Sequence, residues 1–245
     1  MRLTFTALIF LMLLPGCGPD VPTGIDQGET PIQFTYTAED SLEAKLLSLW
    51  WSREVLPPDS LTGEFLYDLA YLRHAYGDSV PVVTGLRFIP HWVHSRIVVQ
   101  FDASTGPSVE EGDYAPWDAL EPALQPSYLS DPFVGWFFAM GFSKVVHSVR
   151  VAEIYRDFPG VLSSQPDAYG CRTFCPFPVY PALHGNAWTY LFENHGPGIR
   201  DLYYVYFRCV DQDPVLVGTY RPFEEETAPD WWEEASANFS EFRRS

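Results

Sequence analysis

Residues 132–167 read PFVGWFFAMGFSKVVHSVRVAEIYRDFPGVLSSQPD, and this stretch decides the fold. Its first part, Pro132 to Met140, is nearly continuous in apolar residues, which is typical of a strand buried on both faces. Ser143 to Phe158 places apolar side chains at helical spacing, and Pro159-Gly160 ends that helix. Val161 to Gln165 has the pattern of a second, shorter strand. The stretch therefore predicts two strands joined by a helix.

The residues before this stretch predict the elements that pair with it. Arg96 to Asp102 is a run of β-branched and aromatic residues, which favours a strand, and Val80 to Ile89 is a weaker strand candidate. Residues 103–114 form an acidic loop that contains glycine, and Trp117 to Leu124 is a short helix. The predicted order of these elements is therefore strand, helix, strand, helix, strand.

Two amphipathic helices come earlier in the chain. The first runs from Asp40 to Arg53, with Asp40 or Ser41 as its N-cap and Pro57-Pro58 as its stop. The second carries its apolar residues from Leu61 to Ala75 and closes at Gly77. Because only a few residues separate them, they form a helical hairpin whose apolar faces need a cover. We expect the sheet formed by the central strands to provide it.

The last third of the chain predicts a meander. Ala187 to Glu193 and Leu202 to Val210 alternate with a period of two, and a turn leads from the second segment into Val215 to Tyr220. Three antiparallel strands result. The fold class is therefore α+β: an N-terminal helical hairpin packed on a sheet of the central strands, followed by an antiparallel three-stranded meander.

The central elements resemble a known module. Their order, with the runs Phe158 to Val161 and Gln165 to Asp167, resembles the ferredoxin-like module of subtilisin propeptides and related protease inhibitors. The resemblance implies that the central sheet is a ferredoxin-like split βαβ sheet, with the helical hairpin packed on it, and that the protein has an inhibitor-like activity. In that family inhibition needs a carboxyl-terminal tail that enters a protease cleft, whereas this chain continues well beyond Asp167.

The amino terminus has the pattern of a targeting signal. Its apolar run of about 12 residues spans roughly 18 Å as a helix, which is short of the ~30 Å core of a bilayer. The run closes in Leu14-Pro15-Gly16-Cys17, which resembles the lipobox of bacterial envelope lipoproteins. The resemblance implies that Cys17 is the site of lipid attachment, by palmitate or a similar acyl chain. It also favours the outer membrane over the inner, because residue 18 is glycine.

The expected organisation of the chain follows from these segments. A flexible segment rich in Gly, Pro and Asp separates the lipidated cysteine from the first helix. The acidic, aromatic carboxyl-terminal segment contains Trp231 and Trp232 and is expected to be a tail. The parts are a signal peptide (1–16), a lipidated Cys17 with a tether (17–38), one α+β domain (39–222, or 39–170 plus 171–222) and the tail (223–245).

The charge excludes one class of partner. The chain has 15 Lys and Arg against 32 Asp and Glu, a formal net charge of -17. A nucleic acid would meet repulsion from this protein instead of releasing counterions onto lysine and arginine. We therefore expect no nucleic acid partner. The expected partners are the membrane, through the lipid on Cys17, and another envelope protein or a glycan.

The remaining cysteines, Cys171, Cys175 and Cys209, lie in an expected oxidising compartment. One hypothesis pairs Cys209 with either of the other two in a disulfide, a second pairs Cys171 with Cys175, and a third leaves free thiols. A zinc site would combine Cys171 and Cys175 with His184 and with Cys209 or His195. The C-x₃-C spacing does not favour zinc, so we assign no metal and no cofactor.

No catalytic residue is assigned from the sequence. His91 and His94 would point to opposite faces of an extended segment, and no G-x-S-x-G motif occurs. Glu110, Glu111 and Asp113 favour a solvated acidic loop over a calcium site, because no D-x-D-x-D-G pattern supports calcium.

The last third is dense in aromatic residues, which allows two interpretations. An exposed aromatic strand face would suit a glycan or a protein partner, and the alternative is an ordinary sheet packed on both sides. The residues are Trp188, Tyr190, Tyr203, Tyr204, Tyr206, Trp231 and Trp232. The sequence favours a membrane-tethered lipoprotein that is a non-enzymatic binding or structural module. The alternatives are an extracytoplasmic hydrolase with loop-borne catalytic residues and the protease-inhibitor-like module.

Overall fold

The computed structural model describes residues 34–85, 88, 90, 92–168, 179–195, 198–211 and 213–237, which belong to one compact unit. The helices in this part of the chain are α1 (Ala38–Ser52), α2 (Asp59–Tyr76), α3 (Gly106–Glu110), α4 (Ser148–Arg156) and α5 (Trp232–Ala237). The strands are β1 (Trp92–Phe101), β2 (Tyr128–Leu129), β3 (Phe137–Gly141), β4 (Val161–Ala168), β5 (Val179–His184), β6 (Ala187–Asn194), β7 (Tyr203–Val210) and β8 (Asp213–Tyr220). The α+β class is confirmed.

The first sheet has the strand order β2-β3-β1-β4, and all its neighbours are antiparallel. Strand β1 lies in the middle, with Val99 opposite Phe138 on one side and opposite Ser164 on the other. Because β3 and β4 both run against β1, they are parallel to each other, and α4 connects them. These elements form a split βαβ unit, as the sequence predicts.

The core of this unit lies between the sheet and α4. Alternate residues of β1 point towards the helix, as a strand buried on one face requires. The core contains Ile97, Val99, Phe101, Phe138, Met140, Val151, Ala152 and Tyr155.

Two elements of the unit are shorter than predicted. Gly135 and Trp136 both have positive φ, so Pro132 to Trp136 turns the chain and β3 begins only at Phe137. Helix α4 begins at Ser148 instead of Ser143, because the chain before it is bound to β1 in an extended form: the backbone N–H of Val146 donates to the carbonyl of His94 at 2.7 Å.

Three weaker predictions before β3 are wrong in their details. Pro81–Val83 is a 3₁₀ turn where a strand was expected. The short helix predicted over Trp117 to Leu124 is replaced by two 3₁₀ turns, Ala115–Trp117 and Pro122–Leu124. The loop predicted over residues 103–114 contains the five-residue helix α3.

The second sheet has the order β5-β6-β7-β8 and is antiparallel throughout. It has four strands instead of the predicted three. The missed strand β5 contains Pro181, and proline within a run argues against a strand. Because β5 lies at the edge of the sheet, Pro181 can sit opposite Tyr190 without removing an interior ladder bond.

The helical hairpin packs on the second sheet and not, as predicted, on the split βαβ sheet. The inner face of the first sheet is already covered by α4. The hairpin therefore shares its core with the strands that follow later in the chain. That core contains Leu46, Leu47, Leu49, Phe65, Leu69, Leu72, Val179, Tyr190, Phe192, Val205 and Phe207.

The outer face of the second sheet is covered by α5 and the residue before it. The Trp231 ring stacks on Tyr206 with centroids 5.3 Å apart, and Trp232 lies 4.7 Å from Tyr204. Gly218 makes this contact possible, because a Cβ there would lie 2.7 Å from the indole nitrogen of Trp231. Residues 231–237 are thus part of the fold. The prediction of an acidic tail over residues 223–245 is wrong for this part of the segment.

Within the described residues, no helix has both the length and the apolar character needed to cross a bilayer.

Candidate functional site: an acidic cleft beside α2

A cleft of about 630 Å³ lies where α2 meets the second sheet. One wall is a face of α2, one is the start of β6, and the third is the end of β7. The residues that line it are Gly63, Glu64, Tyr67, Asp68, Asn186, Ala187, Trp188, Cys209 and Asp211. Glu64 and Asp68 share this cleft because residues four apart lie on the same face of a helix.

Asp68 is the buried carboxylate of the cleft, with 5% of its surface exposed. Its Oδ2 accepts hydrogen bonds from the Tyr190 hydroxyl and, at 3.5 Å, from the Cys209 thiol. Burial raises the pKa of Asp68 to about 6, and the nearby charges of Glu64 and Asp213 add to this, while the two hydrogen bonds act against it. Asp68 therefore changes charge near neutral pH.

The cleft offers negative charge without positive charge. Its lining includes the carboxylates of Glu64, Asp68 and Asp211, and no lysine, arginine or histidine is among the described residues that line it. The donors that reach Asp68 are a neutral phenol and a neutral thiol. Among the described residues, an ionised Asp68 is thus buried without a cation beside it.

Aromatic side chains hold the walls in place. The indole N–H of Trp188 donates to Glu64 Oε2 at 3.0 Å, and the ring packs edge-on against Trp51 with centroids 4.9 Å apart. The Tyr67 hydroxyl donates to Asp213 Oδ1 at 2.9 Å. These contacts fix the rings and the carboxylates at the rim of the cleft relative to each other.

Cys209 is not poised as a nucleophile. Burial raises the pKa of its thiol, and the charge of Asp68 and the hydrogen bond to it raise that pKa further. The raised pKa keeps this thiol protonated. Because only the thiolate is a strong nucleophile or metal ligand, Cys209 is suited to neither role. Cys209 is a free thiol among the described residues, while Cys171, Cys175 and Cys17 lie outside them. The disulfide hypotheses and the lipid attachment stay predictions.

The histidines do not form a metal centre within the part of the chain that the structure describes. His195 forms an ion pair with Glu193, which also accepts the Tyr180 hydroxyl at 2.9 Å. His184 lies 3.9 Å from Glu234. The zinc hypothesis cannot draw on Cys171 and Cys175 here, because both lie outside the described residues.

His147 and His94 do not line the cleft. His147 is buried and stacks on Trp92 with ring centroids 4.8 Å apart. Burial lowers the pKa of His94. His91, the other member of the predicted pair, lies outside the described residues.

The acidic loop is solvated, in line with the interpretation favoured from sequence. Glu110, Glu111 and Asp113 are exposed. Asp102 serves the local turn instead, since its Oδ1 accepts the backbone N–H groups of Ser104 at 3.0 Å and Thr105 at 2.7 Å. These hydrogen bonds, with one from the Ser104 hydroxyl, lower the pKa of Asp102.

The aromatic strand face is not exposed. Tyr190, Tyr204 and Tyr206 are buried, and Trp188, Tyr203, Trp231 and Trp232 are partly buried. The second sheet has the hairpin on one face and α5 on the other. The alternative interpretation, an ordinary sheet packed on both sides, is the correct one.

Asp68 was not singled out from the sequence, although a signal was present. The apolar stripe of α2 passes through Phe65, Leu69 and Leu72, and Asp68 occupies a position beside it that faces the same side. A carboxylate within an apolar stripe is a candidate for a buried functional group. Its partners Tyr190 and Cys209 are more than 100 residues away, so their proximity was not visible.

Comparisons of this chain with protein-family models, with curated proteins and with solved structures found no match.

Proposed function

We propose that this protein is a lipid-anchored lipoprotein of the bacterial envelope, attached through Cys17, whose folded domain is a binding module for an organic cation. The lipobox-like run Leu14 to Cys17 supports the anchor. The acidic cleft supports the binding role. Asp68 is the observation that carries the proposal: it is a buried carboxylate whose hydrogen-bond donors, among the residues that the structure describes, are neutral and whose charged neighbours there are anionic.

The ligand class follows from the electrostatics of the cleft. A buried charge without a partner is unfavourable, and an ammonium group in the cleft would supply the missing positive charge to Asp68 and Glu64. The aromatic rings of Tyr67 and Trp188 provide surfaces on which an alkylammonium group can rest. A neutral ligand of the same shape would lack the attraction to the carboxylates of Asp68 and Glu64.

The test uses choline and its neutral carbon isostere, 3,3-dimethylbutan-1-ol, titrated into the full chain by calorimetry. We expect choline to bind at least about tenfold more tightly than the isostere, a difference of ~1.4 kcal/mol. Asp68→Asn should remove this preference, while Asp78→Asn, an exposed residue after α2, should leave it unchanged. Binding should also weaken as the pH falls through 6, because Asp68 takes up a proton. Equal binding of both probes would contradict the proposal.

The anchor has a separate test. A bacterial host expressing the chain and supplied with an alkyne-labelled palmitate should incorporate the label into the protein. Cys17→Ala should abolish incorporation, and Cys209→Ala should not. Unchanged labelling of the Cys17 variant would refute lipid attachment at that residue.

A second candidate function is an extracytoplasmic hydrolase with Asp68 as general acid or base. The pKa of Asp68, raised by burial to about 6, favours it, since acid–base groups work best near the ambient pH. Chromogenic esters and glycosides should then be cleaved by the wild type and by Asp78→Asn, but not by Asp68→Asn. Cleavage that is unaffected by Asp68→Asn would exclude this candidate.

A further inference from the structure

The chain contains only two lysines, and both line one cleft. Lys45 on α1 and Lys144 before α4 are far apart in sequence, while the other basic residues are arginines. They lie on the walls of a cleft of about 950 Å³, separate from the Asp68 cleft. The other lining residues are Glu54, Val55, Leu56, Pro57, Pro58, Asp59, Glu121, Leu124, Ser143 and Val145.

The walls of this two-lysine cleft are held by hydrogen bonds between distant segments. The backbone N–H of His147 donates to the carbonyl of Val55 at 3.0 Å, which ties the chain before α4 to the α1–α2 connection. The buried Tyr155 hydroxyl donates to the carbonyl of Leu124 at 2.8 Å. The cleft is therefore formed before a ligand arrives, as most small-molecule sites are.

The charged side chains that line the two-lysine cleft are not paired with other charged side chains in the described part of the chain. Lys45, Lys144, Glu54, Asp59 and Glu121 form no ion pair with any described residue. The arginines behave differently, since arginines on α2, β1, α4 and β7 pair with carboxylates. Two cations and three anions thus face one cavity without neutralising each other.

We propose that the two-lysine cleft binds a short zwitterionic peptide. The ammonium groups of Lys45 and Lys144 are donors for its terminal carboxylate, and the carboxylates of Glu54, Asp59 and Glu121 accept from its terminal ammonium. The apolar side chains of Val55, Leu56, Leu124 and Val145 contact its body. The volume suits a few residues and is larger than a single ion needs.

The scarcity of lysine makes the test direct, because an amine-reactive reagent can modify only two side chains. The full chain is treated with N-acetoxysuccinimide, and acetylation of Lys45 and Lys144 is followed by mass spectrometry. We expect the tripeptide Ala-Leu-Ala with free termini to slow acetylation of both lysines at least about threefold. The control is the carboxyl-blocked tripeptide Ala-Leu-Ala amide, which consumes the reagent through the same free α-amine but lacks the terminal carboxylate, so it should protect neither lysine.

Variants test whether the protection of Lys45 and Lys144 comes from a tripeptide bound in the two-lysine cleft. Lys45→Gln and Lys144→Gln should each weaken tripeptide binding about tenfold in calorimetry, while Arg150→Gln on α4 should have no effect, with folding of each variant checked by circular dichroism. Asp68→Asn should leave protection unchanged, which separates this site from the proposed cation cleft. Protection of only one lysine, equal protection by the blocked tripeptide, or no protection would each overturn the proposal.

Discussion

At the residue scale, Asp40 shows how one side chain can serve two elements. It is 1% exposed, and its two oxygens accept the backbone N–H of Thr37 and the guanidinium of Arg73. Burial opposes ionisation, but the hydrogen bonds from Thr37 and the charge of Arg73 outweigh it, so the pKa of Asp40 lies below its ordinary value. The start of α1 is thereby attached to the end of α2.

Thr37 is the N-cap of α1, and we expect Thr37→Ala to lower the free energy of unfolding by about 1 kcal/mol. The reason is that its hydroxyl accepts the Asp40 backbone N–H at 3.1 Å and is the reciprocal half of a capping box. Urea denaturation measures the change. Thr37→Ser keeps the hydroxyl and should retain most of the stability; a loss equal to that of the alanine variant would show that the methyl group matters instead.

Asp68 gives a pH-dependent prediction. Its folded pKa of about 6 lies above the ordinary value of 3.8, so its protonated form is the one that the fold favours. The contribution of Asp68 to the free energy of unfolding is full below about pH 4. It is lost as the pH rises through 6, and the loss is about 3 kcal/mol because the folded and unfolded pKa values differ by about two units. Asp68→Asn cannot ionise, so thermal unfolding should show it to be more stable than the wild type at pH 7.5.

The two proteins should differ little at pH 4, where Asp68 is mostly protonated. Asp78→Asn is the matched control and should follow the wild type at both pH values, because Asp78 is exposed. An Asn variant that is less stable than the wild type at pH 7.5 would contradict this prediction. It would mean that ionisation of Asp68 strengthens the hydrogen bonds with Tyr190 and Cys209 by more free energy than burial of the charge costs.

Local sequence patterns predicted residue roles only where the partners are close in the chain. The N-cap was expected at Asp40 or Ser41, whereas Asp40 is the fourth residue, at helix position N3, of a Thr-x-x-Asp capping box that begins at Thr37. Asp68 has its decisive partners on β6 and β7, and only the tertiary fold brings Tyr190 and Cys209 to it. The candidate cleft was therefore not predictable from sequence, although two of its three acidic residues, Glu64 and Asp68, are on one helix face.

At the element scale, α5 acts as a cover for the second sheet. Trp231 and Trp232 lie on Tyr204, Tyr206 and Tyr220, whose side chains would otherwise face water. Helix α5 is too short to be stable alone, so this packing stabilises it.

We expect Trp232→Ala to destabilise the fold by about 2 kcal/mol, less than the ~3–5 kcal/mol of a fully buried tryptophan because this ring is only partly buried. Guanidinium denaturation measures it. Phe223→Ala, in the same carboxyl-terminal segment but 55% exposed, is the control and should change little. Equal stability of the Trp232 variant and the wild type would indicate that α5 is dispensable, as a tail would be.

Elements with a strong period were predicted well, and their partners were not. The sequence reveals α1, α2 and β1 because each buries one face, and it reveals β6 and β7 through their period of two, although both faces of these strands are covered. An apolar face carries no information about which sheet will cover it, and the hairpin was assigned to the wrong sheet for that reason. Strand β5 was hidden by Pro181, and α3 is too short to show a period.

At the scale of the whole molecule, the net charge of -17 opposes compactness through repulsion among the carboxylates. Raising the salt from about 10 mM to 150 mM shortens the screening length from ~30 Å to ~8 Å. We expect the melting temperature to rise by roughly 2–4 °C, which corresponds to about 1 kcal/mol for a chain of this size. Differential scanning calorimetry measures it, and a fall in melting temperature would mean that surface ion pairs outweigh the repulsion.

The position of α5 in the chain sets an order of assembly. The outer face of the second sheet is complete only once residue 237 is available, although its strands end at Tyr220. During synthesis, the tyrosines of that face stay in contact with water or with a chaperone until Trp231 and Trp232 emerge. A chain that is stalled or clipped between β8 and α5 would present an unprotected aromatic sheet, and so would be recognised as unfinished by the machinery that removes damaged proteins.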